Sequence, residues 1–282
     1  MFMTDKDVWF ITGAGRGMGV DFVHAALEAG KAVVATGRDP DAVRAALPGG
    51  DDVLAVELDV TRPEHAEAAV ETAVGRFGRI DVVVNNAANF YGGYFEELSN
   101  AQIHDQLATA LLGPMNVTRA VLPVMRRQRR GHIVSISSGA GLSGFEFNSA
   151  YSAAKFGLEG WMEALQPEVE PFGITTTIVN PGFFRTDLLT PDSAKYATPS
   201  IDDYADRHAE RVQWYEDMNG QQEGDPAKLA QALLTITSLD QPPHRFIALA
   251  AILELAEQKA QTLQAQADAF RELSSSLTHD QA

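Results

Sequence analysis

Tyr151 and Lys155 stand four residues apart in a segment, 150 to 170, with helical apolar spacing, so their side chains share one face and lie one turn apart. A phenol has an ordinary pKa near ~10 and is a poor acid–base at neutral pH. A nearby ammonium lowers it by roughly 1 to 3 units, and the pair can then shuttle a proton. Ser138 lies thirteen residues before Tyr151 at the end of a β-like run. That is the edge where α/β folds place ligand-contacting groups, and its hydroxyl can hold a substrate oxygen. A second constellation, Thr12-Gly13-Ala14-Gly15-Arg16-Gly17-Met18-Gly19, follows the apolar run VWFI. A phosphate-bearing ligand at that place needs a tight turn, close backbone approach and a following helix whose free N–H groups and dipole face the anion. Glycine permits all three. A Y-x-x-x-K pair alone recurs by accident on exposed helices, and a glycine-rich turn alone can serve close packing. Together they point to proton transfer beside a bound dinucleotide.

Such a site needs strands that end at one edge. Short apolar, β-branched runs occupy 8–12, 32–36, 53–58, 80–86, 131–138 and 174–181, with a weaker seventh at 245–250. Each of the first six is followed by a helix-length segment, the pattern of a parallel sheet covered on both faces. The expected fold is α/β: a doubly wound, Rossmann-type, seven-stranded parallel sheet with helices on both faces. Residues 1–250 read as one dinucleotide-binding and catalytic domain. Within it, 187–225 breaks the rhythm, being polar and dotted with aromatics, and reads as a substrate lid. Residues 251–282 read as a C-terminal helical extension: an amphipathic helix over 251–273 and a frayed tail from Ser274.

The 282-residue chain carries 22 basic and 38 acidic residues, 22 − 38 = −16, which speaks against nucleic acid or an anionic membrane as partner. It has no cysteine, which excludes disulfides, zinc–thiolate sites and thiol nucleophiles. The seven histidines show no metal-like spacing, so no metal is expected. No signal-peptide pattern or long apolar run precedes the first strand, and cytoplasmic residence is the expectation. The basic cluster at 126–130 sits where a helix ends before the fifth run and suits the helix dipole.

Thr12-Gly-x-x-x-Gly-x-Gly, NNAA at 85–88, Ser138, Tyr151-Ser-Ala-Ala-Lys155 and NPGFFRT at 180–186 resemble, in order and spacing over roughly residues 7–190, the short-chain dehydrogenase/reductase family. The resemblance implies that Ser138 polarises a carbonyl, Tyr151 is the acid–base, and Lys155 lowers the phenol's pKa and holds the cofactor ribose. It implies cofactor contacts from Gly13, Arg16, Gly17, Met18 and Gly19 in the turn. Asp59 and Val60 would flank the adenine, and Asn86, Ala87 and Ala88 the ribose side. Pro181, Gly182, Phe184 and Thr186, with Tyr151 and Lys155, would complete the set. Where NAD-preferring members carry an acidic residue after the second strand, this chain has Thr36-Gly37-Arg38, which implies NADP(H) over NAD(H). Asp39 could pair with Arg38 and weaken that preference.

Two positions depart from the family pattern. Ala88 replaces a usual glycine, a small change if the backbone angle is ordinary. Ala110 stands where the family has an asparagine implied to anchor a water behind the lysine, and Asn116, six residues on, falls on another helical face. Phe90, Tyr91, Tyr94, Phe145, Phe147, Phe183 and Phe184 follow strands four to six, and Tyr196, Tyr204, Trp214, Tyr215 and Met218 dot the lid, which suggests an apolar substrate. The expected function is NADP(H)-dependent interconversion of a carbonyl and an alcohol on an apolar small molecule. The alternative, raised by Ala110, is a dinucleotide-binding regulator with little turnover. Through helices at 100–127 and 150–170, the resemblance also implies a homo-oligomer.

Overall fold

All seven apolar runs become strands of one parallel sheet. The structure, a computed structural model, describes residues 4–279. In chain order the elements are β1 (Val8–Ile11), α1 (Met18–Glu28), β2 (Ala32–Gly37), α2 (Pro40–Ala45), β3 (Val53–Glu57), α3 (Pro63–Phe77) and β4 (Val82–Asn85). There follow β5 (Phe90–Gly92), α4 (Asn100–Leu107), a π-helical segment (Ala108–Leu112), α5 (Gly113–Gln128), β6 (Gly131–Ile136), α6 (Ser149–Val169) and β7 (Ile174–Pro181). The chain continues through β8 (Ala194–Tyr196), α7 (Ala205–Met218), α8 (Pro226–Thr237), β9 (Arg245–Ala248), α9 (Ala250–Ala269) and α10 (Arg271–Ser275).

Strand order is β3-β2-β1-β4-β6-β7-β9, so the chain winds outward to β3, returns past β1 and winds the other way. The reversal lies between β1 and β4, where doubly wound sheets open a ligand crevice. Register brings the carboxyl ends together: Ile11 pairs with both Ala35 and Val84, Asn85 with Ser135, and Ile136 with Val179. The segments 12–19, 86–88, 137–141 and 180–186 therefore leave the sheet along one edge. Alternation divides the core. Val8 and Phe10 face α3, α5 and α6 with Val117, Met125, Leu158 and Met162, and Trp9 and Ile11 face α1 and α8 with Phe22, Leu229 and Leu233. The helical run Asn100–Gln128 is apolar and long enough to cross a membrane by composition alone. Here Val117, Val121 and Met125 on that run are part of the sheet's core.

Two features differ from the sequence expectation. β5 and β8 form a separate two-stranded parallel sheet, pairing Phe90 with Ala194 and Gly92 with Tyr196. Three residues per strand are too few for a periodic signal, yet this pair ties the expected lid to the loop after β4. The helix expected over 251–273 is divided, because Phe270 leaves helical geometry at φ −121°, ψ 16°. Its first turns pack through Ile252 and Leu255, but Leu263, Phe270 and Leu273 stand exposed. The end of the expected frayed tail, 280–282, lies outside the described residues.

His132 in β6 supplies a test of the core. It is buried with Nε2 2.8 Å from Thr177 Oγ1, and burial lowers its pKa to about 4. The unfolded imidazole titrates near ~6.5. The stability held by keeping His132 neutral is thus complete above that value and is lost as pH falls toward 4, on the order of 3 kcal/mol. His132→Val suits a strand and leaves Thr177 donating to the Pro243 carbonyl at 2.6 Å. Denaturant unfolding at about pH 7 and about pH 4.5 is expected to reveal a smaller acid loss in the variant; equal losses would exclude His132 as the source.

Candidate active site

The glycine turn leaves β1 at Thr12. Gly13 adopts φ 65°, and a Cβ there would lie 2.9 Å from Ala87 Cα. At Gly19, in the first turn of α1, a Cβ would lie 2.2 Å from the Gly13 carbonyl oxygen, so both positions exclude side chains. Gly17 caps α1 at φ 53° without a side-chain cap, which leaves N–H groups of the first turn, beginning at Met18, facing outward from the helix start. Thr12 Oγ1 accepts from the amides of Asn86 (2.9 Å) and Ala87 (3.0 Å). The Asn86 side chain donates to the carbonyls of Thr12 and Gly13, at 3.0 and 3.2 Å. Both its amide nitrogen and its backbone N–H therefore build the turn, which leaves its two carbonyl oxygens for the ribose contact the sequence reading expected. Ala88 is not among the residues with positive φ, so the missing glycine leaves no strain.

Arg38 emerges exposed after β2. Asp39 caps α2 instead of pairing with it, accepting from the amides of Asp41 (2.9 Å) and Ala42 (3.1 Å). Burial would raise Asp59, but hydrogen bonds from Thr61 and the nearby Arg38 charge hold its carboxyl below the usual range. Arg38 and Asp59 thus lie near each other beside the turn, and Val60, next to Asp59, is buried. Arg16, expected among the cofactor contacts of the turn, donates its guanidinium to Ser193 Oγ of the 187–225 segment at 2.7 Å. Asn116 donates to the Val60 carbonyl at 3.0 Å and is no substitute for the asparagine replaced by Ala110. Ala110 itself is buried in the π-helical segment, which packs on α6. Insertions of this kind recur at functional sites.

Ser138 follows β6 in extended geometry and opens the turn Gly139–Gly141, its Oγ accepting from the Ala140 amide at 3.1 Å. Tyr151, in the first turn of α6, sits beside that hydroxyl. Burial pushes the phenol up to about 12, opposed by hydrogen bonding with Ser138 and reinforced by Tyr215. One turn on, Lys155 is buried, its Nζ donating to the Ile136 carbonyl at 2.8 Å and lying 5.6 Å from the Tyr151 ring centroid. Burial lowers this ammonium to about 8, while Glu159 raises it. The expected downward pull of Lys155 on the phenol is not what this arrangement gives. The ammonium addresses a carbonyl and the ring face, not the hydroxyl, so desolvation prevails. At neutral pH the phenol keeps its proton.

The NPGFFRT segment divides its roles. Pro181 ends β7, and Gly182 is covered by Leu249 and Ile252. Thr186 faces the glycine turn, with its Cβ 3.5 Å from the place a Gly17 side chain would take. Phe184 was expected at the ligand edge, but its ring is buried in the core with Val179, Leu229 and Leu233. Its side chain is therefore not available to a ligand. Phe183 is exposed and meets Trp214 of the lid edge-on at 5.7 Å.

Around Tyr151 the aromatics gather into a buried cluster. Phe90 meets the Tyr151 ring edge-on at 5.5 Å and Tyr215 at 5.2 Å, and Tyr94 stacks on Tyr204 at 4.5 Å. Phe147, Tyr196, Leu189 and Met218 complete the cluster. Tyr91 is directed elsewhere, packing with Leu98 and Ala150 while its hydroxyl donates to Asp105 at 2.7 Å, and Phe145 is exposed. The segment 187–225 is fastened to the chain after β5 by a pair that sequence reading missed. Glu97 and His208, both buried, are linked at 2.7 Å, and Glu97 Oε1 also accepts from the amides of Ser200 and Ile201. Lone acidic and imidazole residues more than a hundred positions apart give no sequence signal.

Residues 7–197 match the family model described as short chain dehydrogenase. The chain is 34% identical over 270 residues to an oxidoreductase, BOA17, from Botryotinia fuckeliana, covering 95% of this chain and 97% of that one. It is 35% identical over 237 residues to a 3-ketodihydrosphingosine reductase from Bacteroides thetaiotaomicron, covering 83% and 85%. A crystal structure of a short-chain dehydrogenase from Streptomyces avermitilis superposes with a TM-score of 0.87 at 34% identity, over 96% of this chain and 100% of the other. With the seven-stranded Rossmann-type sheet and the motifs along its edge, these likenesses establish that the chain is an oxidoreductase acting on CH–OH/C=O and belongs to the short-chain dehydrogenase/reductase family.

Proposed function

We propose that this protein reduces the carbonyl group of an apolar small molecule at the expense of NADPH. The observation that carries the reading is the Tyr151 phenol beside the Ser138 hydroxyl, one helical turn before the buried Lys155 and packed with Phe90 of β5, Phe147 before α6, and Tyr196 and Tyr215 of the 187–225 segment. The turn fits a dinucleotide, since the uncapped start of α1 and the side-chain-free Gly13 and Gly19 leave room and N–H groups for a pyrophosphate. Arg38, exposed after β2 and with its neighbour Asp39 engaged as a helix cap, suits a 2′-phosphate.

When bound, the reduced nicotinamide supplies hydride. The chain's own residues do the rest. Ser138 donates a hydrogen bond to the substrate carbonyl oxygen, and Tyr151 gives its proton to that oxygen as negative charge develops there. Lys155 holds ribose hydroxyls and sets its positive charge against the face of the Tyr151 ring. The aromatic wall excludes water and holds the apolar part of the substrate.

A panel of ketones and aldehydes, followed by loss of reduced cofactor, tests the reading. Bulky apolar ketones are expected to exceed polar hydroxyketones in kcat/KM by roughly tenfold or more, since burying one further aliphatic or aromatic group contributes about 1.5–3 kcal/mol. Cofactor binding with no turnover on any member of the panel would overturn it.

A further inference from the structure

We propose that Glu159 is a positioning residue for carbonyl reduction, its buried carboxylate fixing the Ser138 turn from below and supplying the counter-charge behind Lys155. The proposal rests on the reading of Tyr151, Ser138 and Lys155 given above. Tyr151, Lys155 and Glu159 follow one another at four-residue steps on α6 and so share a face. Glu159 is only 5% exposed, deep for a carboxylate.

Its neighbours come from three other segments, 137–141, β7 and β9. Ser137 Oγ donates to Oε1 at 2.5 Å, and Asn180 Nδ2 donates to the same oxygen at 2.6 Å. Asn180 Nδ2 also donates to the Ser138 carbonyl at 2.9 Å. Arg245 of β9 donates to Oε2, to Asn180 Oδ1 at 2.9 Å and to Glu163 at 2.8 Å. Gly141 approaches so closely that a Cβ there would lie 2.0 Å from Oε1. One carboxylate thus fastens both flanks of Ser138, the Ser137 side chain directly and the Ser138 carbonyl through the Asn180 amide that donates to both. It also holds the ends of β7 and β9 to α6. An apolar side chain would leave the Ser137 hydroxyl and the Asn180 amide without this acceptor.

The charged and titratable groups facing the pair are few. Lys155 meets Tyr151 on its own helix and the Ile136 carbonyl of β6, with Tyr215 of the lid acting on the phenol. Glu159 meets Arg245, and beyond it Glu163. Removing the carboxylate's charge therefore makes the Lys155 ammonium easier to deprotonate, and removing Arg245 leaves that charge unbalanced and makes it harder.

The test is the pH profile of NADPH-dependent ketone reduction in the full-length protein, its variants Glu159→Gln and Arg245→Met, and Tyr151→Phe as a control. The alkaline limb of kcat/KM is expected to move to lower pH, by roughly one unit, in Glu159→Gln and to higher pH in Arg245→Met. Unfolding midpoints are measured alongside, since breaking one side of a buried ion pair costs stability in either variant. A purely structural ion pair would lower both midpoints and leave both limbs in place, and that result overturns the proposal. Limbs moving in the same direction would overturn it as well. If Glu159→Gln is too unstable to assay, the displacement in Arg245→Met alone decides, because an unmoved or acid-shifted limb there contradicts it. Retained activity in Tyr151→Phe would instead remove the underlying reading, so the two failures are told apart.

Discussion

Tyr151→Phe is expected to lower kcat for ketone reduction by roughly 100- to 10,000-fold while NADPH binding stays within about twofold of the parent protein. The ring keeps its edge contact with Phe90 at 5.5 Å and its place 5.6 Å from the Lys155 ammonium, so packing is preserved. What is lost is the phenol's proton, which the side chain carries at neutral pH. That proton is needed only as the carbonyl oxygen gains charge, so kcat and kcat/KM fall together and KM alone does not carry the defect. Stopped-flow turnover and equilibrium titration of NADPH measure the two quantities separately.

Arg38→Asp is expected to reverse cofactor preference. A guanidinium on a 2′-phosphate contributes roughly 1.5–3 kcal/mol, or about 10- to 100-fold in affinity, to NADPH over NADH in the parent protein. The substitution removes that attraction and sets a carboxylate against the phosphate, while the same carboxylate can accept from the 2′-hydroxyl of NADH. Asp59, whose carboxyl the Arg38 charge helps to hold down, gains a like-charged neighbour and should titrate higher. Fluorescence titrations of both cofactors in both proteins check the inversion. Added salt should weaken NADPH binding to the parent more than NADH binding, because the pair is exposed.

The sheet was legible because its strands are continuous apolar runs, and such runs arise when both faces of a strand are covered. The edge residues were legible because they are dictated by chemistry or by close approach: Gly13 and Gly19 have no room for a Cβ, and Ser138, Tyr151 and Lys155 recur at fixed spacing. What escaped lies in tertiary contact alone. Asn86 reads as a cofactor contact, yet its amide closes the turn onto Thr12 and Gly13. Phe184 reads as pocket lining, yet it fills the core. The phenol's pKa could not be read from a Y-x-x-x-K spacing, because burial opposes the ammonium and only the folded chain sets that balance. Glu159, the Glu97–His208 latch and the β5–β8 pair join segments distant in sequence, and no local pattern announces them.

The most direct test of carbonyl reduction through Tyr151 is a single-turnover reaction of NADPH carrying deuterium at both C4 positions with a bulky apolar ketone, read by mass spectrometry of the product. The parent protein is expected to yield the alcohol carrying one deuterium at the former carbonyl carbon, and Tyr151→Phe, saturated with the same cofactor, to yield almost none. Equal labelled alcohol from the two proteins, or bound NADPH with no label reaching any ketone tried, would contradict the account.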